Sequence, residues 1–243
     1  MNTGEGLRAE LRRFQCAEAL LLALPVALVL ILINNWILRI HPDLAPVAVL
    51  ALGFIPFHVG AAGTVVLVFA RAHPRGRRLE ALQLERIIAG FGQAIRLAAR
   101  SLVWIYPLTW VLTGLTVLLF WLAGYKPAEP LILQWFAQES DPGAIGLMLA
   151  GVLLLAPVAE EVLFRLVLYD ALSLLNARVA LVATALGFAL IHGIPEQVPG
   201  LVALGLALQH LRQRTGSLWP PIFLHALYNL ISLFLAFMYL HFS

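Results

Sequence analysis

The chain has 243 residues, of which 61% are hydrophobic and 12% charged, with a net charge of +3 and a mean hydropathy of +0.90. Soluble domains carry about 25% charged residues, so this composition excludes a water-soluble globular protein, and about seven spans of ~20 residues would use nearly all of the length. The basic excess comes from 15 Arg and one Lys gathered between apolar runs, which reads as loops beside anionic lipid headgroups and not as a nucleic-acid surface.

The first apolar run, 18–38, is long for a signal-peptide core and contains Asn34 and Asn35, so it is expected to remain as an uncleaved anchor. Cys16, the only cysteine, precedes it, which excludes an intrachain disulfide and a Cys-based metal site. A second run covers 46–70. The segment 71–100 then carries Arg71, Arg75, Arg77, Arg78, Arg86, Arg96 and Arg100. Together with Arg8, Arg12 and Arg13, these place the N-terminus and this segment in the cytoplasm. Within 79–100, Leu84, Ile87, Ile88, Phe91, Ile95 and Ala98 recur at helical spacing opposite Arg86, Gln93, Arg96 and Arg100. That pattern predicts an amphipathic helix lying on the inner leaflet.

A third span is expected at 101–123. The loop 124–142 holds Glu129, Glu139 and Asp141 against Lys126 and belongs outside, with Leu131 to Phe136 dipping into the interface. Runs at 144–175, 179–194, 199–211 and 218–240 follow, with Arg178, Arg212 and Arg214 at cytoplasmic connections. Trp36, Trp104, Trp121 and Trp219 fall near span ends, as an aromatic belt requires. The expected fold is all-α: a polytopic transmembrane helix bundle of about seven helices, six to eight in range. Residues 1–140 form a variable membrane region and 141–243 a bundle around a polar intramembrane cavity. The run 144–175 exceeds one perpendicular span and contains Pro157, which leaves one kinked helix and two consecutive helices both open.

Glu160 and Glu161 interrupt that run. An ionisable side chain at bilayer depth costs about 2.5–3.5 kcal/mol on insertion scales, so a pair kept there points to a functional site. Adjacent residues on a helix stand about 100° apart, so one carboxylate can face a cavity as general base while the other pairs with Arg165. Residues four apart share a face, which sets Glu161 with Arg165 and His225 with Asn229. A His across the cavity could hold the attacking water, and a His–Asn pair could donate to the oxyanion of an attacked amide. One carboxylate with two His is also a catalytic zinc set, although the helical HExxH pattern is absent. Metal-bound and metal-free chemistry both stay open.

Any of these polar residues alone is more simply interhelical glue, worth about 0.6–2 kcal/mol; taken together they favour a site. His41, His58, His73, His210 and His241 are read as structural or solvated, and Phe188 and Tyr228 as packing residues. Asp170 is placed near the cytoplasmic boundary. Glu196 is read as an exposed turn residue, with a place at the cavity mouth as the alternative.

The strings Glu160-Glu161-Val162-Leu163-Phe164-Arg165, Phe188-Ala189-Leu190-Ile191-His192 and His225-Ala226-Leu227-Tyr228-Asn229 resemble the EExxxR, FxxxH and HxxxN motifs of the CPBP intramembrane proteases. That group contains the type II CAAX prenyl endopeptidases and the bacterial Abi proteins. The resemblance covers about 150–235, in family order, while 1–140 is similar only in being membranous. It implies an endopeptidase in which Glu160 activates water, His192 assists, His225 and Asn229 stabilise the oxyanion, and Glu161 and Arg165 support them. A divalent metal such as zinc, if bound, would take Glu160, His192 and His225.

The implied substrate is a membrane-embedded peptide or a lipidated, CAAX-like protein, and the partner is the lipid bilayer. Oligomeric state is not legible. The Ala-, Leu- and Arg-rich composition points to a bacterial inner membrane. A non-catalytic scaffold or immunity-type regulator of the same fold is the alternative, and a transporter ranks last for want of matching Gly- or Pro-broken halves. Along straight helices Glu160 lies about 25 Å from residue 143 and His192 about 21 Å from Arg178. Their convergence therefore calls for a helix starting near 150 or bending at Pro157.

Overall fold

The computed structural model describes residues 84–126 and 131–242, together with positions 18, 40, 48, 59, 60 and 63. Apart from those single positions, the two N-terminal spans lie outside the described residues, as do Cys16 and Trp36. Among the described residues every regular element is helical and no strand occurs.

Helix α1, Leu84–Leu122, runs for 39 residues, about 58 Å at 1.5 Å per residue. The amphipathic segment expected on the leaflet is therefore continuous with the span that follows it. Its apolar stripe explains why: Ala94, Ala98 and Ile105 are buried, and Phe91 meets Phe223 edge-on at 4.8 Å between centroids. The face is covered in part: Ala94 and Ala98 are buried in the bundle, while Phe91 and Ile95 stay 44% and 40% exposed.

Helix α2, Leu131–Gln138, is short, and its Phe136 is buried with Met148 and Leu233 and packs on Phe237. Helix α3 is one continuous helix, Pro142–Leu172. Asp141 caps it, accepting from the Ala144 amide at 2.7 Å, and Pro142 occupies the first turn, where a missing N–H costs nothing. It starts at Pro142 and not near 150. What differs from a plain helix is its winding, since Gly151–Leu155 and Val162–Leu168 are π-helical and flank the α-helical turn Ala156–Glu161. These wider turns carry more residues for each turn of helix.

Asn176 caps helix α4, Ala177–Leu190, accepting from the amides of Arg178 and Val179. A 3-10 turn, Pro195–Gln197, leads into helix α5, Val198–Thr215. Arg212 and Arg214 sit in its last turn, where the helix dipole favours cations, and Gly216 stops it at a φ of 66°. Helix α6, Trp219–Phe242, has Pro220 and Pro221 in its first turn.

The shared core joins Ala98 of α1, Phe164 of α3, Phe188 of α4, Leu204 and Leu208 of α5 and Leu224 of α6. Small residues let these helices approach closely. A Cβ on Gly200 would stand 2.7 Å from Thr113 Oγ1 and 2.8 Å from the Thr109 carbonyl, and one on Gly205 would stand 3.2 Å from Ala185 Cα. The outer surface is apolar, with Trp104 81% exposed and Leu119, Trp121 and Leu175 also open. Three described helices, at Gly90–Leu122, Pro142–Leu172 and Trp219–Tyr239, are long and apolar enough to cross a membrane. The chain is an integral membrane protein.

The α1–α5 contact gives a direct stability test. Gly200→Ala should destabilise the protein by about 1–3 kcal/mol through overpacking, lowering the thermal midpoint in detergent. Gly146→Ala, with no atom within 4 Å of the added carbon, should leave the midpoint level or raise it.

Candidate active site

Helix α3 carries three motif residues into the bundle. Glu161 is 0% exposed, Arg165 1% and His225 of α6 2%. Arg165 Nε lies 3.1 Å from Glu161 Oε2, the four-residue pairing that the spacing predicts. The guanidinium also donates from Nη2 to the Gly205 carbonyl at 3.4 Å and lies over the Phe188 ring, 4.6 Å from its centroid. The other oxygen of Glu161 reaches a partner that helical spacing alone does not indicate: Oε1 accepts from His225 Nδ1 at 3.1 Å. One sealed carboxylate thus ties α3 to α6 and holds Arg165 as well.

Glu160 points elsewhere. Its Oε2 stands 4.0 Å from His192 Nε2 and 3.9 Å from His225 Nε2, so α3, the segment after α4 and α6 converge on one carboxylate oxygen. His192, 26% exposed, is the most open of the three. The straight-helix depths of Glu160 and His192 are reconciled without a later start to α3.

The end of α4 explains how His192 is aimed. Helix α4 stops at Leu190, Gly193 turns the chain at a φ of 67°, and the His192 amide bonds the Ala189 carbonyl in a tightened turn. The Phe188 carbonyl loses its usual amide four residues on, and His192 Nδ1 takes it at 2.7 Å. A carbonyl only accepts, so Nδ1 carries the hydrogen, and Nε2 is the nitrogen turned towards Glu160. His225 is oriented in the same way by another partner, with Nδ1–H held by Glu161. Phe188, fully buried, meets both imidazoles edge-on at 4.9 and 5.4 Å. It is a packing residue, as its sequence context suggests, and one that borders both imidazoles and the Arg165 guanidinium.

Asn229 lies one turn from His225 on α6, and its Nδ2 donates to the Val152 carbonyl at 3.1 Å. The HxxxN pair therefore divides between a carboxylate and a backbone carbonyl in the first π stretch of α3. Neither the Glu161–His225 contact nor the Val152 carbonyl was legible in the spacing. Pro157, which lacks an amide, was the available hint for the second.

Glu196 corrects a reading from sequence. It is 6% exposed in the turn that packs on α1 and α5, not an exposed loop residue. Tyr228 is half-buried and meets Tyr106 edge-on at 5.2 Å between centroids, consistent with packing. His210 and His241 are exposed, while His41, His58 and His73 lie outside the described residues.

Two imidazole Nε2 atoms and a carboxylate oxygen make a donor set suited to zinc, and each His gives its Nδ1 hydrogen to a protein acceptor, as zinc ligands do. Their separations of 4.0 and 3.9 Å are wider than the roughly 3.3 Å edge of a tetrahedral zinc site. Among the described residues no three such groups already stand at ligating distance. The donor types of Glu160, His192 and His225 are ones that a divalent metal would take.

Residues 142–231 match the family model described as type II CAAX prenyl endopeptidase Rce1-like. The matched span contains all three motifs, and the match, to the model of a protease family, bears out the resemblance to CPBP proteins. No curated protein and no solved structure matches the chain.

The sealed pair is testable apart from any activity. Glu161→Gln leaves Arg165 buried without its counter-charge and should cost about 3–5 kcal/mol, seen as a large drop in thermal midpoint. Adding Arg165→Met should recover part of the loss; no recovery would mean that the pair is not the source of the cost.

Proposed function

With residues 142–231 an Rce1-like domain, we propose that the protein is an intramembrane endopeptidase. It hydrolyses a peptide bond in a membrane-embedded or lipidated, CAAX-like substrate by means of a water activated by Glu160. The observation that carries the reading is the meeting of Glu160 Oε2 with two imidazole Nε2 atoms, at 4.0 and 3.9 Å, inside an otherwise apolar bundle.

In this mechanism Glu160 takes a proton from water as it attacks the amide carbon, and returns it to the leaving amine. His192, aimed by the Phe188 carbonyl, holds the water beside Glu160. His225 and Asn229 stabilise the oxyanion. Since His225 Nδ1–H is already given to Glu161, donation from Nε2 requires the imidazolium, whose charge Glu161 offsets. Asn229 gives one hydrogen of Nδ2 to Val152 and keeps the second for the oxyanion. Glu161 and Arg165 hold these groups without touching substrate. A divalent metal such as zinc, if held by Glu160, His192 and His225, would supply a Lewis acid in place of these proton-transfer roles, since an imidazolium cannot be a ligand.

The Arg asymmetry supports a cytoplasmic N-terminus, and the composition a bacterial inner membrane. In that setting the natural substrate is a membrane peptide or lipopeptide sharing the lipid-proximal character of a CAAX protein.

The reading is checked with full-length protein in proteoliposomes and a quenched lipidated peptide library. Glu160→Gln should lower turnover by at least 10²–10⁴-fold with an unchanged thermal midpoint. His192→Ala should fall in the same direction. Turnover by Glu160→Gln equal to wild type, or a cellular phenotype that it fully retains, would favour the scaffold alternative. Stoichiometric zinc in wild type that is lost in His192→Ala would assign the metal route.

A further inference from the structure

We propose that Pro157 is a positioning residue for Asn229, because the amide it lacks frees the Val152 carbonyl that orients the Asn229 side chain. The proposal rests on the reading of Asn229 as an oxyanion donor.

The chain of cause begins in the backbone. Ala156 N–H bonds the Gly151 carbonyl, five residues back, in the π register. The next amide in that register belongs to residue 157, and its partner would be the Val152 carbonyl. Proline has no N–H. Had α3 kept the α register, the orphan would be the Leu153 carbonyl, one residue further round the helix. The π turn therefore selects which carbonyl is released.

A carbonyl at membrane depth must find a donor within the protein. Asn229 Nδ2 supplies it at 3.1 Å from a helix 77 residues away in sequence. The contact also settles the amide. Nδ2 and not Oδ1 faces α3, since only the nitrogen can donate to a carbonyl. Both hydrogens of an amide lie in its plane, so fixing one direction fixes the second. A side chain otherwise free to flip is held as a donor, one helical turn from His225.

Three full-length proteins test this in proteoliposomes: Pro157→Ala, Asn229→Ala and the double variant. Pro157→Ala restores an amide for Val152 and releases Asn229, so kcat should fall about tenfold or more while KM changes little, and Asn229→Ala should fall about 100-fold. The double variant should be no worse than Asn229→Ala alone, because both changes remove one function. Wild-type kcat in Pro157→Ala, or losses that multiply in the double variant, would overturn the proposal.

Thermal unfolding gives a readout independent of turnover. Asn229→Ala should lower the midpoint by roughly 2–4 °C with Pro157 present, and by clearly less when Pro157→Ala accompanies it. Equal shifts in both backgrounds count against the proposal even if no hydrolysis is found. Thermal coupling without any Glu160-dependent hydrolysis would instead overturn the endopeptidase reading while supporting the Pro157–Asn229 link.

Discussion

A backbone carbonyl that cannot reach water must be met by a donor from the protein itself, and the cluster around Glu160 is built on two carbonyls that regular helices would have satisfied. The Phe188 carbonyl is released where α4 ends and is taken by His192. The Val152 carbonyl is released where a π turn meets Pro157 and is taken by Asn229. In water either carbonyl could be solvated at little cost and the side chains would be free to turn. In an apolar bundle the unmet group is expensive, so the same irregularities become fixed orientations.

The carboxylates divide by surroundings. Glu161 is sealed between Arg165 and His225, with the guanidinium over the Phe188 ring and both imidazoles edge-on to it. An ion pair so buried is weak evidence for stability, since its desolvation offsets much of its attraction. Its clearer consequence is geometric, because a shared carboxylate fixes which nitrogen of His225 carries hydrogen. Glu160, one residue earlier and about 100° round the helix, is left to meet the two Nε2 atoms. The proposed chemistry depends on this separation: one carboxylate is committed to structure so that its neighbour can be committed to water.

Much of this was legible in the chain, and the exceptions share a cause. The apolar runs located α3, α4, α5 and α6 to within a few residues, and three motifs named the residues that converge. The short span at 179–194 proved to be a helix ending at Leu190, which leaves His192 in the turn beyond it. From Leu84 onward the expected amphipathic segment is helical, and periodicity cannot say which of its apolar residues another helix covers; Ala94 and Ala98 are buried, while Phe91, in contact with Phe223, and Ile95 stay open. Glu196 looked like a turn residue because Pro195 and Pro199 flank it, and it is a turn residue; its burial depends on α1 and α5, which lie far from it in sequence.

By itself the sequence determined membrane residence, helical class and the Glu161–Arg165 pair, because hydropathy and a four-residue spacing are local quantities that need no neighbour from elsewhere in the chain. Only the tertiary structure decided that Glu161 also holds His225, that Glu160 meets His192 and His225 together, and that Asn229 answers a carbonyl in α3. Those contacts join segments 32 to 77 residues apart. They depend on the register in which helices pack and on two π turns within α3, and neither is encoded in the spacing of any one segment.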